Sequence, residues 1–202
     1  MGQTIANVFY KQRADFLEEQ KERDKRLKFP DDVEEIRDIP YLKDGLKAHH
    51  LDVYKSKIIT PEQEHRKLPV IINVHGGGLI LGNKEFNRYF CAKLCKLGYI
   101  VFSVEYRLVP DCMFYDQCED LSRALDFIND NLSNYNGRGP YARSRTFGRN
   151  VYAERTVRSF RVLERRVLVV QVLGLAGSID LLNAGNAGHM LLQDALDTHG
   201  KG

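Results

Sequence analysis

A parallel sheet covered by helices on both faces is the architecture this sequence predicts. Two buried-strand patterns, Pro69-Val-Ile-Ile-Asn-Val74 and Tyr99-Ile-Val-Phe-Ser-Val104, are separated by one helical stretch and followed by another. Short, continuously apolar runs of this kind suit strands buried on both faces, which occur where helices cross over between parallel neighbours. A glycine triplet directly follows the first of them, at Gly76 to Gly78.

Each element has a local reason. Residues 3–28 read as a charged helix with apolar points at Ile5, Val8, Phe9, Phe16 and Leu17, closed by Pro30; residues 1–30 are expected to cover a larger body. Between Leu46 and Tyr54, Leu51 and Val53 alternate with Asp52 and Tyr54, which predicts an early strand. The polar run Thr60–Lys67 with Pro61 predicts a surface turn. Phe86, Tyr89, Phe90, Leu94 and Leu97 recur at helical spacing, and Gly98 supplies a C-terminal stop. Asp116 and Glu119 read as a capping box opening a helix with Leu121, Ala124, Leu125 and Ile128 on one face.

Composition changes near Gly137. Residues 1–137 hold 20 basic and 22 acidic side chains, net −2, whereas residues 138–202 hold 10 basic and 5 acidic, net +5. The basic residues are 12 Lys and 8 Arg in the first part, then 1 Lys and 9 Arg in the second. The 43% apolar content is that of a folded chain, and 202 residues suffice for one domain. The arginines of 138–166 supply generic phosphate affinity. Aromatic residues are sparse there and no recognition motif occurs, so nucleic-acid binding is not expected.

Cys91, Cys95, Cys112 and Cys118 form no CxxC pair and are read as reduced structural thiols. His49, His50 and His65 lack ligand spacing, so no metal or other cofactor is expected. The N-terminus has no apolar signal core, and Val167–Val170 is too short to span a bilayer. A cytoplasmic protein without a transmembrane segment is the expectation; the oligomeric state is not legible.

The chemistry-bearing words begin at His75-Gly76-Gly77-Gly78. Three glycines after a buried strand let backbone N–H groups approach a ligand closely, and neither GxxxxGK[ST] nor GxGxxG spacing is present to suggest phosphate. Around them stand Leu51-Asp-Val-Tyr54, Gly98-Tyr-Ile-Val-Phe-Ser-Val-Glu-Tyr-Arg-Leu-Val-Pro110, Asp120 and Ala124. In these words the chain resembles the hormone-sensitive-lipase-like esterases, the α/β-hydrolase fold-3 family. The resemblance implies an α/β-hydrolase fold with a mostly parallel, doubly wound sheet, acting on small-molecule carboxylic esters through an acyl-enzyme. It implies that the Gly77 and Gly78 amides are oxyanion donors, that Gly76 shapes the turn and that His75 supports the loop without being the catalytic histidine. It makes Tyr106, Arg107 and Asp120 structural.

The resemblance lapses after Gly137. The family needs a G-x-S-x-G nucleophile elbow, then Asp and His, and no G-x-S-x-G occurs in the 202 residues. Ser144, Ser159 and Ser178 lack the flanking glycines; Gly185-Asn-Ala-Gly-His189 echoes the motif without a serine; Asp197 and His199 are too close together. The expectation is therefore an incomplete fold: residues 1–137 as the N-terminal part of the hydrolase domain, and residues 138–202 as a divergent, poorly folded tail from a truncation or altered reading frame. No catalytic turnover is expected of the chain as written. The alternative is a non-catalytic α/β-hydrolase relative kept as a binding or regulatory module. Only Val167–Val170 could stand in for the missing neighbour of the 69–74 strand, but no Gly-rich turn of the right type follows it, so that edge is expected to lie open and expose apolar surface.

Overall fold

The computed structural model describes residues 4–64, 66–137 and the backbone of 167–171. Five strands form one sheet: β1 (Val33–Pro40), β2 (His50–Ser56), β3 (Val70–Val74), β4 (Ile100–Val104) and β5 (Val167–Gln171). Among the described residues, four α-helices accompany them, α1 (Ile5–Asp24), α2 (Pro61–Glu64), α3 (Arg88–Lys96) and α4 (Phe114–Asn131). The order across the sheet is β1-β2-β4-β3-β5. β1 with β2 and β2 with β4 are antiparallel, while β3 runs parallel to both β4 and β5. The sheet is therefore mixed, with its parallel part at β4-β3-β5. The expectation of an open edge at β3 is corrected: β5, the run discounted for want of a following Gly-rich turn, pairs with it in parallel from Val70–Val167 to Val74–Gln171, because backbone pairing needs an extended apolar segment in register and not that turn.

β3 and β4 are buried at every position because helices cover both faces. Side chains alternate along a strand, so each strand feeds two cores. Leu51, Val53, Val70, Ile72, Phe102 and Val104 pack with Ala124 and Ile128 of α4. Tyr54, Ile71 and Val101 pack on the other face with Cys91, Ala92, Leu94 and Cys95 of α3. A fully buried Val, Leu, Ile or Phe contributes about 1.5–3 kcal/mol, so these two layers dominate the stability. All four cysteines are buried free thiols, and burial pushes Cys95 up to about 12.

Several boundaries differ from the sequence reading for local reasons. α1 ends at Asp24, ahead of Pro30, where the chain tightens into three-residue turns from Arg26 N–H to Arg23 O and from Leu27 N–H to Asp24 O. Ile5 and Leu17 of its apolar points are exposed, whereas Phe16 lies 5.0 Å from Phe86. β1 was not foreseen, since Val-Glu-Glu-Ile-Arg-Asp-Ile-Pro at the sheet edge carries charges on both faces. In β2, Asp52 and Tyr54 are as buried as Leu51 and Val53, so alternation in polarity is not alternation in exposure. Within the stretch expected to be a turn, Pro61–Glu64 form the single helical turn α2. α4 starts at Phe114, and the carboxylate that accepts from its N-cap, Met113 N–H, is Asp116 at 2.7 Å; Glu119 instead faces Arg123.

Candidate active site

The parallel register sets the site. Val74 pairs with Val104 on one side and with Gln171 on the other, so β3, β4 and β5 end level. His75 and Glu105 are the next residues of β3 and β4 and meet for that reason, Nε2 lying 2.9 Å from Glu105 Oε1. Crevices at the carboxyl ends of parallel strands are where open α/β sheets bind ligands.

Glu105 ties the loops together. Its Oε1 also accepts from Tyr106 N–H at 3.3 Å, and its Oε2 accepts from Lys84 N–H at 3.0 Å. The His75 ring is fully buried and stacks on Tyr106 at 4.4 Å, and the Tyr106 hydroxyl donates back to His75 O at 2.8 Å. Burial, reinforced by the Glu105 charge, raises the Tyr106 phenol above its ordinary range and keeps it a neutral donor. His75 is thus held on three sides, by Glu105, by the Tyr106 ring and by the Tyr106 hydroxyl on its carbonyl.

Beyond His75 the chain turns sharply. Gly77 has φ +135° and Gly78 φ +61°. A Cβ at Gly77 would stand 2.1 Å from Leu81 O, and one at Gly82 would stand 2.3 Å from both Gly76 O and His75 Nδ1. Gly77 O closes the turn by accepting from Leu81 N–H at 2.9 Å and Ile80 N–H at 3.2 Å. Leu79 holds φ +71°, a strained value for a branched side chain. Two bonds to its carbonyl hold it there, from Val109 N–H and from Gln117 Nε2, both 3.0 Å. Among the described residues, neither Gly77 N–H nor Gly78 N–H has an acceptor. The turn therefore presents two adjacent backbone donors at the end of a buried strand.

A buried polar layer supports this turn from the sheet. Lys84, only 4% exposed, meets Asp52 and Asp38 at 2.9 Å each, and also Glu85. Burial alone would lower its ammonium, but hydrogen bonds to Glu85, Asp52 and Asp38 prevail and raise it, so Lys84 stays charged. Next to it Asn73 Nδ2 donates to Ser103 Oγ, Ser103 Oγ to Lys84 O, and Asn87 Nδ2 to Asn73 Oδ1. On the other side, Asp120 is buried and accepts from the Arg107 guanidinium at 2.7 and 2.9 Å and from Arg107 N–H at 3.1 Å. His49 is buried between Asp44 and Asp120, a packing residue; His50 Nδ1 donates to Leu46 O at 3.0 Å, and His65 lies outside the described residues.

The sequence reading had singled out Gly76, Gly77, Gly78 and His75, and the fold gathers them at one sheet end with Tyr106, Arg107 and Asp120 close behind. It missed Glu105, Lys84 and Gln117. Glu105 did carry a signal: a lone carboxylate ending an apolar run one strand away from His75. Ser144, Ser159, Ser178, Gly185, His189, Asp197 and His199 lie outside the described residues. Among the described residues, no group of three or more His, Cys, Asp or Glu is placed to hold a metal ion, and no helix is long and apolar enough to cross a membrane.

This arrangement of sheet, crossover helices and glycine turn is the fold of the α/β-hydrolase esterases. Residues 51–139 match the family model described as BD-FAE. Esterase LipQ of Mycobacterium tuberculosis is 30% identical over 101 residues, 50% of this chain and 23% of its own length. The probable carboxylesterase 11 of Arabidopsis thaliana is 38% identical over 66 residues, 31% of this chain and 14% of its own. Among solved structures, esterase B from Lactobacillus rhamnosis superposes with a TM-score of 0.58 at 25% identity, covering 64% of this chain and 40% of that one. The chain thus spans well under half the length of each of these relatives. The matches support an α/β-hydrolase esterase family for the part they cover.

Proposed function

We propose that residues 1–137 are the oxyanion-bearing N-terminal part of a carboxylic-ester hydrolase, followed by a divergent segment at 138–202. The observation that carries this reading is the pair of Gly77 and Gly78 N–H groups, lacking acceptors among the described residues, at the carboxyl end of β3. When a nucleophile adds to an ester, the carbonyl oxygen becomes an oxyanion, and two preorganised donors stabilise it. The alcohol leaves, and water then releases the acid from the acyl-enzyme. One such donor is worth about 3–4 kcal/mol of barrier. Gly76 and the His75–Tyr106 stack fix the turn's direction. The likeness to the α/β-hydrolase fold-3 esterases supports the same assignment, with a small-molecule ester as substrate.

The attacking serine is the missing part. No G-x-S-x-G occurs in the 202 residues, and Ser144, Ser159 and Ser178 lack the flanking glycines that a strained elbow requires. On this ground the chain as written does not turn over esters. The same observation favours a second reading, a non-catalytic module that binds an ester or a related carbonyl compound at the turn.

Two measurements test this. A fluorophosphonate probe should label no serine, and p-nitrophenyl butyrate should be cleaved only at a faint background, since oxyanion donors alone retain some catalysis. Stoichiometric labelling of Ser144, Ser159 or Ser178 would refute the inactive assignment. Sequencing the transcript across the codons for residues 130–150 separates the two readings: a recovered G-x-S-x-G favours the hydrolase, an unchanged sequence the binding module.

A further inference from the structure

One arginine of α1 reaches three separate points around the glycine turn. Arg13 Nε donates to Ile80 O at 2.9 Å, one terminal nitrogen to Val109 O at 2.5 Å, and the other to Asp111 Oδ2 at 2.6 Å. Tyr10, one turn earlier, donates to Asp111 Oδ1 at 2.6 Å and so orients the carboxylate. Two of the three acceptors are main-chain carbonyls, so the guanidinium fork fixes backbone positions, which a single-point ammonium could not do in three directions. Ile80 belongs to the turn closed on Gly77 O, and Val109 is the residue whose N–H holds Leu79 O. Arg13 therefore joins both walls of the turn from above.

The other contacts of α1 fall elsewhere. Gln20 pairs amide to amide with Asn83 at 2.8 and 3.2 Å, Arg23 donates to Phe86 O at 3.0 Å, and Phe16 meets the Phe86 ring. With the Tyr89 hydroxyl donating to Asp24 O at 3.2 Å, these hold the helix to residues 83–89, whereas the Arg13 bonds go to the turn and the loop beside it. We infer that Arg13 is a positioning residue for the Gly77 and Gly78 N–H groups, so that docking of α1 sets the geometry of the turn; the inference rests on the oxyanion reading above.

The test uses the ¹⁵N-labelled 202-residue protein and follows the amide signals of Gly77 and Gly78 together with hydrogen exchange at Leu81, whose N–H closes the turn. Arg13→Ala should displace both glycine signals and speed Leu81 exchange about tenfold, the equivalent of losing a charge-assisted bond. Added ethylguanidinium should reverse this in part, and Arg13→Lys should not. Arg23→Ala, which loosens the same helix lower down, should leave Leu81 at the wild-type rate. Equal effects from Arg13→Ala and Arg23→Ala, or an indifferent Leu81, would overturn the inference, as would full recovery by lysine. Should Arg13→Ala fail to fold, Asp111→Asn keeps both carbonyl bonds and should raise Leu81 exchange by a smaller factor; no rise overturns the inference. Methylphosphonate, an oxyanion mimic, is added to the wild type in parallel. If it leaves Gly77 and Gly78 unmoved, the oxyanion reading fails and the inference falls with it. Normal displacement with an indifferent Leu81 sinks the inference alone.

Discussion

Replacing Gly77 by alanine should cost far more than replacing Gly78, although the two are neighbours in the same turn. At Gly77 the new Cβ would lie 2.1 Å from Leu81 O and 2.4 Å from Leu81 C, both backbone atoms, and the φ of +135° is closed to L residues. The turn must open, which gives up the bonds from Leu81 and Ile80 N–H to Gly77 O. Two backbone bonds at about 1 kcal/mol each, plus about 1–2 kcal/mol of residual strain, make a loss of about 3–4 kcal/mol. For a chain of this size that corresponds to a fall in melting temperature of about 10 °C. At Gly78 a Cβ meets nothing within 4 Å, and φ +61° is the left-handed region, so the loss is about 1 kcal/mol. The assay is urea unfolding of the two variants beside the wild type, followed by circular dichroism. Equal losses, or a Gly77→Ala protein within 1 kcal/mol of wild type by that measure, would show that the turn is not closed on Leu81 as described.

Three further outcomes follow from the packing around the turn. Asp120→Ala leaves Arg107 without its bidentate partner, and because Arg107 is partly exposed the expected loss is about 2–3 kcal/mol, read from the urea midpoint. Lys84→Met leaves the buried Asp52 carboxylate without its cation and should cost about 3–5 kcal/mol, whereas Lys84→Met with Asp52→Asn should recover part of that loss. For acid stability, burial would raise Glu35, but hydrogen bonds and charge from Arg88 and Arg37 hold it below its ordinary value. A lowered carboxylate contributes stability above its unfolded pKa of about 4.3, and that contribution fades as pH falls through the lower folded value. Melting temperatures from pH 7 to 3 should show this acid limb, and Glu35→Gln should flatten it.

Much of the centre of this fold was legible in the sequence because the physics there is local. Continuous apolar runs at 69–74 and 99–104 gave β3 and β4, helical spacing of Phe90 and Leu94 gave α3, and the glycine triplet announced a turn with exposed amides. β1 escaped because an edge strand needs no apolar pattern, and Asp52 escaped because its burial depends on Lys84, 32 residues away. The level endings of β3 and β4 were decided only by sheet register, which brings Glu105 to His75; no pattern along one strand encodes its alignment with another. The same holds for Arg13, whose acceptors lie 67 and 96 residues along the chain. The sequence placed a glycine turn directly after a buried strand at 76–78. Only the tertiary structure decided what holds it, because a side chain's partners across loops are set by the packing of whole elements and not by its neighbours in the chain.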